Sequence, residues 1–156
     1  MTIKVGINGF GRIGRLAMRA AFDWSEIEFV QINDVAGDAK TLAHLLEFDS
    51  VQGRWQHAVS AEKEMIIING QRIKTTQERE IASVDWSGCD VVIEASGKFK
   101  KQALLNDYLK QGVKRVLVTA RLGRLPENSA MHHSLSSSEA VRKKAAKAAT
   151  FALVEV

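Results

Sequence analysis

The sequence predicts an α/β protein built on an open, doubly wound, mostly parallel sheet with an inserted antiparallel hairpin. Three observations carry that expectation. Short apolar runs alternate with segments of helical periodicity, the first such junction is the glycine-dense stretch VGINGFGRIG, and an Asn-Gly pair separates two β-rich runs near the middle.

The elements follow in order. Ile3 to Ile7 is a short apolar run that fits a buried strand, and Ile13, Leu16, Ala17, Ala20 and Ala21 then recur at helical spacing. Glu28 to Asn33 (EFVQIN) reads as a second strand, and Ala39 to Phe48 places Leu42, Leu45 and Leu46 on one face of a second helix. Two strands joined through a helix imply a right-handed crossover and a parallel pair. Met65 to Ile68, Asn69-Gly70 and Gln71 to Thr75 make a hairpin, because Asn-Gly suits the positive φ angles of a type I′ turn. The alternation resumes with Asp90 to Glu94 as a strand, Gln102 to Leu109 as a helix and Val113 to Thr119 as a strand.

With 156 residues, 46% of them hydrophobic and 26% charged, the chain can bury an ordinary core. No apolar stretch approaches the roughly 20 residues of a membrane span, and the first residues do not form a signal peptide, so a cytoplasmic setting without a membrane partner is the expectation. The single cysteine, Cys89, excludes an internal disulfide framework and a multi-cysteine metal site. The net charge of +4 is uneven: beyond residue 120 stand six Lys/Arg against three Asp/Glu, which puts +3 there and +1 before it. A nucleic-acid partner is therefore not expected for the chain as a whole.

Gly9, Gly11 and Gly14 fit G-x-G-x-x-G at the junction of the first strand and first helix. In a Rossmann-type unit the first glycine permits the turn, the second lets backbone approach a pyrophosphate, and the third allows close packing of helix on strand. The helix N-terminus offers amides and partial positive charge to phosphates. Asp34 follows the second strand 20 residues after Gly14, where a carboxylate accepts hydrogen bonds from ribose hydroxyls and repels a 2′-phosphate. NAD is favoured over NADP on that ground. Asp34 read alone could equally be a turn cap near Gly37.

The stretches VGINGFGRIGRLAMRA, INDVAGDAKTLAHLLEFDSVQGRW, DVVIEASGKF and VKRVLVTA resemble the amino-terminal half of glyceraldehyde-3-phosphate dehydrogenase, over residues 1 to about 120. FDSVQGRW and EASGK look more like the form encoded beside arsenate-resistance exporters than the housekeeping form. The resemblance implies an NAD-binding domain over 1–120, aldehyde oxidation with hydride transfer to NAD in the intact enzyme, and a homo-oligomer. It implies that Asn8, Gly9, Phe10 and Gly11, with Arg12 and Ile13 opening the helix, hold the pyrophosphate through backbone amides, and that Asp34 binds the adenosine ribose. Arg79 falls in the segment that lies against the adenine, here reading QERE. Ser96 and Gly97 resemble the family's turn beneath the cofactor, and Thr119 matches the position near the nicotinamide. Plainer readings stand beside these: Ser96 as a cap of the following helix, Arg79 as a solvated charge between Glu78 and Glu80, Thr119 as a β-former.

Beyond VLVTA the family pattern stops. The catalytic cysteine motif, Ser-Cys-Thr-Thr-Asn-Cys, does not occur, and residues 121–156 match nothing in the enzyme, so the chain is expected to be truncated and inactive on its own. Cys89, flanked by Gly88 and Asp90 before a strand, reads as a packing residue whose neighbouring carboxylate raises its pKa. His132 and His133 lack partners at ligand spacing, His44 and His57 have no nucleophile beside them, and Trp24, Trp55 and Trp86 read as packing at element ends. No catalytic or metal-ligating residue is assigned. In the basic tail, Ser136 and Glu139 form a capping box ahead of a helix over Ala140 to Ala149. Two functions stay open: the NAD-binding domain of the dehydrogenase, or a non-catalytic nucleotide- or RNA-binding module derived from it.

Overall fold

A computed structural model describes residues 1–99, 102–119 and 152–154. Strand β1 (Ile3–Asn8) leads through helix α1 (Arg12–Ala21) to β2 (Ile27–Asn33), and α2 (Ala39–Glu47) follows. A small two-stranded ribbon, β3 (Phe48–Asp49) with β4 (Gly53–Arg54), stands apart from the main sheet. Then come β5 (Val59–Glu62), β6 (Met65–Ile68), β7 (Gln71–Thr76), a 3₁₀ turn over Ile81–Ser83, β8 (Val91–Glu94), α3 (Gln102–Lys110), β9 (Arg115–Val118) and β10 (Ala152–Val154).

The main sheet has eight strands in the order β10-β9-β8-β1-β2-β7-β6-β5. Strands β9, β8, β1, β2 and β7 run parallel in successive pairs, whereas β5, β6 and β7 form an antiparallel meander. The predicted hairpin is present with its Asn-Gly turn, Asn69 at φ 49° and Gly70 at φ 87°, the mirror-image turn that matches strand twist. It is not a detached excursion: β7 pairs in parallel with β2 and so extends the sheet.

The two faces of the sheet are covered by different helices, as strand alternation requires. Val5 and Ile7 of β1 join a core with Met18 of α1 and Leu42 and Leu46 of α2. Gly6 turns the other way, onto Trp86 and Cys89, which belong to a second core with Leu105 and Tyr108 of α3 and Val116 of β9.

Two helix faces differ from the sequence expectation. Helix α2 buries Ala39, Leu42, Ala43 and Leu46, a stripe at i, i+3, i+4 and i+7, and leaves Leu45 on its flank at 38% exposure. Helix α1 buries Gly14 and Met18, while Ile13 is 39% exposed. Small Gly14 lets the helix sit close on the strand, so the contact is centred there and not on the larger apolar side chains beside it. A strand at 152–154, paired antiparallel with β9, was not expected in the tail. The proposed helix over Ala140 to Ala149, its capping box, and His132 and His133 lie outside the described residues.

Candidate functional site

The chain leaves β1 for β2 on one side and reaches β8 on the other, so the carboxyl ends of these three strands border a topological switch point. Ligands of open α/β sheets bind in such a crevice. A cleft lies there, lined by Asn8, Gly9 and Gly11 after β1, Asp34 after β2, Arg79 after β7 and Ser96 after β8. Residues separated by up to 91 positions in sequence, Asn8 and Phe99 at the extremes, thus share one site.

The three motif glycines have separate physical reasons. At Gly9, φ is +90° and an added Cβ would lie 2.3 Å from the Ser96 nitrogen. At Gly14 it would lie 2.3 Å from the Gly9 carbonyl oxygen. Both positions are therefore glycine for the protein's own packing. At Gly11 the backbone is one any residue adopts (φ −68°, ψ −164°), and a Cβ would meet nothing within 4 Å. Its missing side chain leaves room on the cleft side, and nothing in the described protein fills that room.

The amides divide in the same way. Gly9 N–H donates to the Asn33 carbonyl at 2.8 Å, and Phe10 N–H donates to Asp34 Oδ2 at 2.5 Å. Phe10 buries its ring in the core. Gly11 is the N-cap of α1 and makes no side-chain cap bond, so Arg12 and Ile13 open the helix with first-turn amides that no capping side chain occupies. Behind the turn, Arg15 Nη1 donates to the Phe10 carbonyl at 2.9 Å, and burial pulls its guanidinium pKa below the usual value. Its Nε is buried without a hydrogen-bond partner in the described structure.

Asp34 makes the turn-capping bond that the plainer sequence reading expected and also lines the cleft. Oδ1 accepts the Ala36 amide at 2.7 Å, a turn-capping bond, while Oδ2 holds Phe10 N–H. Each oxygen keeps a second lone pair, so turn capping fixes the carboxylate at the cleft without exhausting it.

Beneath the cleft runs a buried polar network that the sequence did not reveal. Asn8 Nδ2 donates to Glu94 Oε2 and to the Tyr108 hydroxyl, both at 2.7 Å, and Tyr108 donates to Glu94 Oε2 at 2.6 Å. Asn8 Oδ1 accepts from Asn33 Nδ2 at 2.8 Å, and Asn33 Oδ1 in turn accepts from Thr76 Oγ1 and the Glu78 amide. Burial, with Glu94 beside it, pushes the Tyr108 pKa up, so the phenol stays a donor. Every member is satisfied, which lets a low-dielectric network hold strand ends rigidly. A polar residue at the last position of a buried strand, as at Asn8, Asn33 and Glu94, is the one sequence cue that could have found it.

Ser96 is not a helix cap. Its hydroxyl donates to Glu94 Oε1 at 2.5 Å and accepts the Lys98 amide at 3.2 Å, closing a turn in which Gly97 takes φ +72°. Helix α3 begins at Gln102. Arg79 is exposed at the cleft rim. Thr119 sits just past β9, with its amide on the Glu94 carbonyl at 3.0 Å, at the carboxyl edge but outside the residues lining the cleft. Val35, Lys98 and Phe99 line it without having been singled out.

Cys89 lies at the opposite end of β8. It is buried, and burial together with Asp85 and Asp90 pushes its thiol up to about 12, so no thiolate is available near neutral pH. His57 is held by Asp23 and Asn69 against Phe22 and Trp55, away from any thiol. Among the described residues no group of three or more His, Cys, Asp or Glu side chains could hold a metal ion, and no helix is long and apolar enough to cross a membrane.

Comparison with known proteins points to one family. The model for "Glyceraldehyde 3-phosphate dehydrogenase, NAD binding domain" matches residues 3–102. The chain is 51% identical over 122 residues to glyceraldehyde-3-phosphate dehydrogenase 3 of Nostoc sp., covering 77% of this chain and 36% of the relative. It is 49% identical over 119 residues to glyceraldehyde-3-phosphate dehydrogenase 1 of Bacillus cereus (75% and 35%). It is 46% identical over 121 residues to glyceraldehyde-3-phosphate dehydrogenase A of Escherichia coli (76% and 36%). The chain thus spans little more than a third of the length of these curated relatives.

Proposed function

Because the chain belongs to the glyceraldehyde-3-phosphate dehydrogenase NAD-binding domain family, we propose that the cleft at the β1, β2 and β8 ends holds NAD with a defined division of labour. The first-turn amides at Gly11, Arg12 and Ile13 take the pyrophosphate, in the room left by the missing Gly11 side chain. Asp34 accepts from the adenosine ribose hydroxyls and disfavours a 2′-phosphate. Asn8, Gly9 and Phe10 shape the turn from behind, their polar groups being already engaged. Arg79 flanks the adenosine end, Ser96 and Gly97 form the floor, and Thr119 marks the direction of the nicotinamide.

The observation that carries this reading is Gly11, a glycine that neither backbone geometry nor protein packing requires. In the complete dehydrogenase NAD supplies the hydride acceptor for aldehyde oxidation. This chain's own part is to bind and orient, since Cys89, its one thiol, is buried and protonated. Self-association and a cytoplasmic setting belong to the same reading through the family resemblance. Nucleic acid does not, because most of the excess positive charge falls in the sequence beyond residue 120 and the preceding 120 residues carry only +1.

Calorimetric titration of the chain with NAD and NADP tests the proposal. Saturable NAD binding, tighter than NADP, is expected. Asp34→Ala should weaken NAD by about tenfold or more and narrow the NAD/NADP ratio, as the loss of charge-assisted hydrogen bonds predicts. A folded chain that takes up no NAD overturns the reading.

A further inference from the structure

We propose that Glu94 is the positioning residue of the dinucleotide cleft, acting through Ser96 and Gly9; the inference rests on the cleft being the NAD site. Glu94 ends β8 and is 1% exposed. Four donors converge on its two oxygens: the Ser96 amide (2.9 Å) and hydroxyl (2.5 Å) on Oε1, and Asn8 Nδ2 (2.7 Å) and the Tyr108 hydroxyl (2.6 Å) on Oε2. One carboxylate thereby ties together the turn after β8, the end of β1 and helix α3.

The tie reaches the ligand side by contact. The backbone of Ala95 and Ser96 packs into the space a Gly9 Cβ would occupy, 2.3 Å from the Ser96 nitrogen. Gly9 in turn precedes the Gly11 to Ile13 amides by two residues. A turn at 95–97 released from Glu94 would move against Gly9 and carry those amides off their positions. Small displacements of this kind weaken binding strongly where donors must be pre-set for an anion.

Glu94 also fixes the polarity of the cleft floor. The Ser96 hydroxyl has one proton, committed to Glu94 Oε1, and one lone pair on the Lys98 amide. What remains for a ligand is an acceptor. With the Asp34 carboxylate, Ser96 makes this part of the cleft a reader of donor groups, such as nucleoside hydroxyls and amines, and leaves phosphate to the helix amides.

The test compares NAD affinity and thermal midpoint for the unsubstituted chain, Glu94→Gln, Ser96→Ala, Ser96→Thr and the Glu94→Gln/Ser96→Ala double variant. A glutamine can accept on only one side, so two of the four donors lose their partner. Glu94→Gln should raise the NAD dissociation constant about tenfold or more, measured well below its thermal midpoint. The double variant should lose no more than Glu94→Gln alone, and Ser96→Thr, which restores the hydroxyl, should recover most of the Ser96→Ala loss. Should Glu94→Gln fail to fold, Tyr108→Phe decides, since it removes a donor from Glu94 Oε2 without altering a residue that lines the cleft: weakened NAD binding by the folded variant is expected, and unchanged affinity overturns the inference. Unchanged NAD affinity in folded Glu94→Gln, or strictly additive losses in the double variant, overturns the inference while NAD binding by the unsubstituted chain leaves the site itself standing.

Discussion

Gly9 and Gly11 stand two residues apart and answer to different forces. Gly11→Ala keeps an ordinary backbone and meets no atom, so its cost in stability should stay below about 1 kcal/mol, while NAD binding falls by tenfold or more as the methyl enters the pyrophosphate's space. Gly9→Ala forces a methyl into the Ser96 backbone at positive φ and should destabilise the fold by more than about 2 kcal/mol. Denaturant unfolding and NAD titration of the two variants check this; equal stability losses would contradict it. The sequence motif marks both positions alike, because G-x-G-x-x-G records only that no side chain is tolerated.

Cys89 gives a second expectation on the same scale. Its thiol is held protonated in the fold by burial, with Asp85 and Asp90 adding to the effect. In the unfolded chain the thiol ionises near its ordinary value of about 8.5, while the folded group waits until about 12. The unfolded state therefore binds fewer protons between those values, and stability falls as pH rises through that window, by at most about 1.4 kcal/mol per pH unit. Below about pH 8 the term is absent. Cys89→Ala should unfold with a visibly shallower decline between pH 8.5 and 10.5 as buffered conditions, and an identical slope would contradict the assignment.

On the scale of the element, helix α2 shows where periodicity is read correctly and where it is read too widely. Its leucines at 42, 45 and 46 all suit a helical face, but the sheet takes only the narrower stripe that includes Ala39 and Ala43. Leu46 is fully buried and Leu45 is not. Leu46→Ala should cost about 2–5 kcal/mol, and Leu45→Ala within about 1 kcal/mol. Chemical denaturation of the pair distinguishes them, and similar costs would mean that a partner covers Leu45. The Asn69-Gly70 hairpin, by contrast, was legible to the residue, because a two-residue turn is decided by the φ angles of its own two residues. Strand β5 and the ribbon of β3 and β4 were not, since VSAE lacks the run of large apolar residues that marks β6 and β8, and two-residue strands carry no period.

Across the whole molecule, alternating strands and helices, the glycine turn and the acid after β2 were set by local chemistry: backbone torsions, helix amphipathicity and strand alternation act within a few residues. They were enough for the fold class and, among the residues that line the cleft, for Gly9, Gly11 and Asp34, whereas Asn8, Arg79 and Ser96 were pointed to by the family resemblance. Only the tertiary structure decided that β7 adds to the sheet beside β2, and that Asn8, Asn33, Glu94 and Tyr108 meet under the cleft. Those contacts join residues 14 to 100 positions apart, and their geometry follows from the order of strands in the sheet. A buried carboxylate is costly until its donors arrive from other elements, and which donors arrive is a property of the assembled sheet that no single stretch of chain contains.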